Sequence, residues 1–538
     1  MAQDSHAGHN MGMGGEHVGY VPNSVLEAAT SLKSDIGPLH DPATTSSADA
    51  QKFYDQGEAY LHSYVWIEAA RSFIQALRLD PKLALAYVGL SRVYTGLQDA
   101  EAAKKAEDKA IALKKDVSPR EQRRIDLRAK HLEALAAITD KEKFKDYKLA
   151  IDAALAKDPD DPELWLIRGN AEESSAAGRG QGGTVLSVAF YEAANARTPG
   201  GNFAAHHYLI HTYEQIARND KAAEEGAIYS RMASGVPHAH HMYGHDLRLV
   251  GRIGDAIHEF EAANQLELDY YRKEGVEPEL DWHRSHNLDL LGRSLQHEGQ
   301  MKQAETIFKE AFALKPTDEF GASRRRMLTD YLLLRSRPQE ALASAQEMMG
   351  MQWPLPKMSG YLAAGRAHVD LGDLKAAQRE LAAATEALTH VERFTQIIPF
   401  DLRAASQPGI DELKGEILLA QNKKSEAEPL LKKVAEEAST HRGADALGEL
   451  FMIERMARVA KARNQVELVK WLADKMIAFD DAYAGGHFFK GWALAQAHEN
   501  DAAGKEYERA RALWAHADAN LPESAEITDY LKKVVAGN

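Results

Sequence analysis

The chain has 538 residues, 44% of them apolar and 27% charged, with a formal net charge of −15 and no cysteine. This is an ordinary globular composition, but the acidic excess argues against nucleic acid as a main partner and against adsorption to anionic membranes, both of which need a basic face. No apolar run approaches the roughly 18–20 residues of a membrane span, and without cysteine any metal must be held by His, Asp, Glu or Met.

Residues 1–50 read as a flexible lead-in. Ala2-Gln3-Asp4 behind a lone Met resembles a mature N-terminus left by removal of a signal peptide, so the chain is expected to be exported, to a bacterial periplasm or beyond. His6, His9 and His17 with Met11 and Met13 sit in a Gly-rich stretch that cannot bury a core. Such a stretch reads either as a disordered tail or as a loose copper-capturing arm, since thioether and imidazole suit copper.

A repeat begins after residue 50. Ala69, Phe73, Ala76 and Pro81 are followed by Tyr87, Leu90 and Tyr94. This pattern resembles the tetratricopeptide repeat, with small residues where two antiparallel helices touch, large ones in the gaps and Pro at the turn. Ala256/Phe260/Ala263 and Ala304/Phe308/Ala311/Pro316 repeat the second-helix signature, with weaker copies at Ala377/Leu381/Ala384, Ala427/Leu431 and Ala503/Tyr507/Ala510. Turn signals separate the helices and no segment alternates with period two, so the expected fold is an all-α, tetratricopeptide-like solenoid of antiparallel helix pairs. "SSAAGRGQGGTVLS" (174–187) reads as a mobile loop. "MGMQWPLPKMSG" (349–360), with two prolines and a Trp, reads as a hinge or a change in superhelix direction. The expected regions are therefore the lead-in 1–50, a His-rich repeat region 51–348 and C-terminal repeats 349–538.

His207 and His211 form one His-x-x-x-His pair, and His241 and His245 form another. The second lies 241 − 207 = 34 and 245 − 211 = 34 residues on, one repeat length. In repeat numbering His207 and His241 occupy position 5, His211 and His245 position 9, and Glu214 position 12. On the next first helix His286 takes position 2, Asp289 position 5 and Arg293 position 9. Positions 2, 5, 9 and 12 share one helix face, the face that lines the concave groove in tetratricopeptide proteins. Neighbouring helices lie about 8–10 Å apart, so their side chains can meet at one ion. His206 and His240 fall at a core position and read as structural. His238 and His283, near helix starts, read as supporting residues. Glu172 and Glu173 are further groove candidates, and His62 reads as a groove residue without a role.

"HHYLIHTYE", "HMYGHDLRLVGR" and "HRSHNLDLL" resemble the linked HYxIHxxE, HMxxHxxxxxGR and HNYH segments of a bacterial tetratricopeptide family of largely unassigned function. The resemblance implies a metal site at His207, His211, Glu214, His241, His245 and His286, with Asp289 in the place of the last family His.

Two classes of function follow. In the first, one or two transition-metal ions (Zn, Fe or Cu) in the groove serve hydrolysis or O₂ activation. Glu214 is then ligand or general base, Arg248 and Arg293 bind an anionic substrate, and the Gly-rich loop 178–183 closes over it. In the second, the solenoid is a non-catalytic scaffold that holds a peptide. Copper or zinc storage or delivery is a third reading, supported by the His/Met tail. The expected ligand is a small molecule or peptide in the groove, and association into a homo-oligomer is left open.

Overall fold

The computed structural model describes residues 17–18, 21–173, 180–391, 402–440 and 446–537. The His6, His9, Met11 and Met13 positions lie outside the described residues. Apart from the short antiparallel pair β1 (His17–Val18) and β2 (Val21–Pro22), every regular element among the described residues is helical. The chain is an all-α stack of antiparallel helix pairs.

It forms two compact units. The first comprises Met1–Val250 with Glu261–Asp281, and the second Gly251–Phe260, Trp282–Arg393 and the chain from Asp401. The expected boundary at 348/349 falls inside the second unit.

In the first unit α1 (Asn23–Leu26) precedes α2 (Ala48–His62), α3 (Trp66–Leu79), α4 (Ala84–Gly96) and α5 (Ala100–Leu113). Next come α6 (Pro119–Ala136), α7 (Lys141–Leu155), α8 (Pro162–Asn170) and α9 (Val185–Ala196). The site helices follow: α10 (Phe203–Gln215), α11 (Asn219–Met232) and α12 (Pro237–Leu249). The long α13 (Ile253–Glu274) contributes to both units.

The second unit continues with α14 (Trp282–His297), α15 (Met301–Ala313), α16 (Glu319–Arg324), α17 (Arg326–Leu334) and α18 (Pro338–Met349). After these come α19 (Pro354–Leu371), α20 (Leu374–Thr389), α21 (Leu402–Ala420), α22 (Lys424–Ala438) and α23 (Leu447–Ala462). It ends with α24 (Val466–Phe479), α25 (Ala484–Gln496), α26 (Asn500–Leu513) and α27 (Pro522–Gly537). The hinge expected at 349–360 is instead a short connection between two packed helices, α18 and α19. Pro354 stands in the first turn of α19, where its missing N–H has no partner to lose.

Two local rules recur along the chain. A glycine on a first helix receives the large side chain 16 residues later: Gly57 meets Phe73, Gly292 meets Phe308, Gly415 meets Leu431 and Gly491 meets Tyr507. Phe73 is also flanked by Gly89, and a Cβ on either glycine would lie 2.6 Å from its Cε1. The second rule is a left-handed residue two positions past a helix end. Tyr64 (φ 58°) and Gln98 (φ 66°) are 98 − 64 = 34 apart, as are Ala217 (φ 56°) and Gly251 (φ 77°), and Asn464 (φ 52°) and His498 (φ 62°). This C-terminal cap satisfies the last carbonyls of the helix, and for a residue with a Cβ it costs roughly 1–2 kcal/mol.

A simple repeat stack touches only its neighbours. The first unit departs from this. The amide of Gly235 donates to Asp35 O at 2.6 Å, Tyr229 Oη donates to Ser63 Oγ at 2.9 Å, and Lys33 pairs with Glu274 at 2.6 Å. The beginning of the unit is thus bound to α11, α13 and the turn before α12.

Candidate metal centre

Local signals fix the two helices that carry the histidines. The Asn202 side chain accepts from the amide of Ala205 at 3.0 Å and so sets the start of α10. Pro237 opens α12, which puts His238 in its first turn.

Three imidazoles converge. The Nε2 atoms of His211 and His238 lie 3.2 and 3.1 Å from Nε2 of His207. His207 Nδ1 faces the carbonyl oxygen of His62 at 2.6 Å. A carbonyl only accepts, so this nitrogen carries the proton and Nε2 presents its lone pair to the other two rings. That carbonyl, from the last residue of α2, is among the groups a helix end leaves unpaired. Burial, then the neighbouring His211, hold the His207 pKa well below its usual value, so the ring is neutral. One in-plane lone pair cannot serve two donors well, but it can bind a cation shared by all three rings. A tetrahedral ion with metal–nitrogen bonds of ~2.0–2.1 Å sets its ligands ~3.3 Å apart, close to the spacing found here. The ring of Tyr64 (centroid separation 4.6 Å) and the stacked ring of Tyr229 (4.8 Å) enclose His207. The side chain of His211 is 14% exposed and that of Glu214 16%, so solvent reaches this side of the cluster.

A second group forms one turn further along α10. His245 Nδ1 contacts Glu214 Oε1 at 2.5 Å, and Asp246 completes a set whose ligand atoms lie within 4.8 Å of one another. The other Glu214 oxygen is 3.6 Å from His211 Nδ1, which links the two groups. Burial would raise the Glu214 pKa, but His245 and His211 hold it well below the usual carboxylate range. Asp246 is fully buried, and burial together with the Glu214 charge pushes its pKa far up. Two adjacent carboxylates stay together by sharing a proton or a cation.

A third group, Glu58, His62 and Glu163, is buried. His62 Nε2 is 2.9 Å from Glu163 and its Nδ1 is 2.7 Å from Tyr208 Oη. Arg92 pairs with Glu163 at 2.7 Å and with Glu58 at 3.4 Å. Arg92 thus already pairs with both carboxylates, which makes this group a brace for the end of α2. His62 is no groove residue, as the sequence suggested, but a fully buried support.

Of the expected ligands, His207 and His211 fall in the first group, and Glu214 and His245 in the second. His241 belongs to neither group; its ring lies between those of His238 (5.8 Å) and His245 (5.9 Å). His238, expected only as a supporting residue, completes the first group. His286 and Asp289 lie in the second unit on α14, where His286 stacks with Trp282 at 6.3 Å and Asp289 accepts from Arg293 Nε. Arg293 was expected to bind an anion, but it is buried with this carboxylate as its partner. Arg248 is buried near the end of α12. His206 is buried and pairs with Glu225, whereas His240 is only partly buried and faces the carbonyl of Ser234, so it does not fill the core position expected of it. His283 is buried on α14. Glu172 pairs with Arg168 and Lys148, and Glu173 accepts from the amide of Gly180. Residues 178 and 179 of the Gly-rich loop lie outside the described residues. Its remainder packs on α10, with Gly180 against Tyr208 and Gly183 against Thr212.

The spacing explains the regrouping. Contacts join residues 238 − 207 = 31 and 245 − 214 = 31 apart, not 34. Side chains on a helix lean towards its N-terminus, and α12 meets α10 one turn out of repeat register.

Residues 286–318 match the tetratricopeptide repeat. The chain is a tetratricopeptide-like α-solenoid. The matched segment begins at His286 and includes none of residues 207–245. Among solved structures, the chain is similar to yeast Tom70 at 12% identity, over 91% of this chain and 96% of that one, with a TM-score of 0.33. It is also similar to the APC/C hetero-tetramer Cut9–Hcn1, at 10% identity over 91% and 96%, with a TM-score of 0.31. A tetratricopeptide repeat protein from Parabacteroides merdae aligns at 13% identity over 55% and 97%, with a TM-score of 0.29. No curated protein matches the chain in sequence.

Proposed function

We propose that this chain is a metal-binding tetratricopeptide protein whose ion is held by Nε2 of His207, His211 and His238, with a fourth position open to a small ligand. The observation that carries this reading is the meeting of three imidazole nitrogens 3.1–3.2 Å apart around one whose proton sits on its far side. Three imidazoles without thiolate suit Zn²⁺ best, as in three-histidine catalytic centres. A bound ion would supply Lewis acidity to the ligand at its open position.

The chain's own residues would do the rest. The His62 carbonyl holds the His207 ring in one tautomer. Glu214, kept ionised by His245 at Oε1 and with Oε2 3.6 Å from His211 Nδ1, is a carboxylate beside the ion's ligands and would act as the proton acceptor. The reading favoured is hydrolytic. Native metal content by mass spectrometry tests the centre, and the visible spectrum of the Co²⁺-substituted protein with azide tests the open position. An azide-dependent spectral change is expected. Bound metal whose spectrum ignores azide would leave a structural ion in a partner-binding scaffold.

One observation favours a second cation. Glu214, His245 and Asp246 bring two carboxylates and an imidazole together beside the first group, and a stoichiometry of two ions per chain would support that position.

A further inference from the structure

A cavity of about 60 Å³ lies in the first unit among α2, α4, α6, α8 and α10. At ~10–15 Å³ per water position it has room for about four to six waters, or for a ligand of similar size. Three guanidinium groups reach its wall, those of Arg92, Arg124 and Arg128, alongside the apolar side chains of Val88, Leu127 and Ile167. Arg92 is paired with Glu163 and Glu58, and Arg124 with Asp41. Arg128 differs. Its Nε donates to Ser91 Oγ at 2.8 Å, and its Nη2 to Ser91 O at 2.8 Å and to Thr95 Oγ1 at 2.5 Å. Its Nη1 donates to His131 Nδ1 at 3.2 Å. Every one of these acceptors is neutral, and Arg128 is only 5% exposed. Among the described residues no carboxylate pairs with it. Glu107, the acid whose charge most favours the Arg128 cation, is itself buried with neither oxygen hydrogen-bonded, and burial pushes its pKa up to about 7. A buried cation whose hydrogen bonds all go to neutral groups is costly, and an anion in the cavity would relieve that cost.

We infer that this cavity binds a short monocarboxylate, whose carboxylate sits on Arg128 and whose hydrocarbon tail lies against Val88, Leu127 and Ile167. Four of the five guanidinium N–H groups are given to Ser91, Thr95 and His131, so one Nη1–H is left to donate to the carboxylate in a charge-assisted bond, and the apolar walls select a tail over a bare oxyanion. The site does not depend on the metal reading. The two are neighbours, since Tyr64 lines the cavity and its ring also packs on His207 at 4.6 Å.

Calorimetric titration of the full chain, stripped of metal with a chelator, tests the inference with propionate, its neutral isostere propionamide, and inorganic phosphate. Propionate is expected to saturate one site per chain, with propionamide and phosphate at least tenfold weaker. Arg128→Gln should weaken propionate binding at least tenfold. Val88→Phe, which fills the cavity, should abolish it while the far-ultraviolet circular dichroism stays native. Equal binding of propionate and propionamide, or phosphate binding as tightly as propionate, overturns the assignment. So does binding that appears only in metal-loaded protein, because the carboxylate would then be a ligand of the ion. Should Arg128→Gln fail to fold, the Val88→Phe variant and the acid–amide comparison decide.

Discussion

His207 donates from Nδ1 to the carbonyl oxygen of His62 across 2.6 Å, and the two residues are 145 positions apart in the chain. This bond fixes the tautomer that aims Nε2 at His211 and His238. The fixed ring gives the proposed three-nitrogen centre a defined geometry, and it makes the register of α12 against α10 testable.

His238→Ala should reduce tight metal binding by at least 100-fold, whereas His241→Ala should leave the stoichiometry unchanged. Metal content by mass spectrometry and competition with a chromogenic chelator would measure both. Equal loss in the two variants would mean that the ion follows the 34-residue register, with His241 as ligand.

Glu214→Gln should keep the metal with affinity reduced roughly 10–100-fold, the usual effect of losing a carboxylate that orients a ligating histidine. In a turnover assay it should lose far more than that. If metal is lost altogether, Glu214 is itself a ligand.

Gly89→Ala should destabilise the protein by ~1–3 kcal/mol from overpacking, offset by at most ~1 kcal/mol of helix propensity. The ring of Phe73 is fully buried and packs closely against the backbone of both glycines, since a Cβ on either would lie 2.6 Å from its Cε1, so it has little room to retreat from the new methyl group. Urea midpoints with an unchanged m-value would check this.

His297 gives a pH dependence to the second unit. Burial alone would lower its pKa, but Asp480 at 2.9 Å and Glu298 at 3.3 Å outweigh burial and raise it from 6.5 to about 9. A raised folded-state pKa stabilises fully below the unfolded value and loses that contribution as pH climbs through the folded value. Between pH 6.5 and 9 the unit should lose on the order of 3 kcal/mol, from ~1.36 kcal/mol per pKa unit. His297→Gln should flatten the curve across this window, as measured by denaturant unfolding.

The repeat was legible wherever its small and large residues recur. Ala69, Phe73 and Ala76 are fully buried, as are Ala256, Phe260 and Ala263. The prolines at 354 and 356 misled because proline breaks a helix interior but suits its first turn. Part of the site was legible too, since His207 and His211 share a face by spacing alone. Its third member was not. Repeat numbering identifies equivalent positions, while contact depends on how far one helix slides along the next, and that one-turn slide exchanged His241 for His238. The His62 carbonyl had no sequence signal at all, being a backbone atom brought from 145 residues away. For Arg293 the spacing alone did not reveal that Asp289, one turn back on the same helix, pairs with it.

The bonds from residues 33–63 to α10, α11 and beyond change how the first unit comes apart. An open array frays from its ends, shedding terminal repeats one at a time. Here the leading helix pair is tied through Ser63 to Tyr229 and through His62 to His207, so the unit has no loose leading end from which to unzip. Hydrogen exchange in α2 should therefore track global unfolding of the unit, with protection as high as that of its central helices. The same ties place the candidate metal ligands at the clasp, so an ion bound there would raise the barrier to opening the whole loop of helices at once.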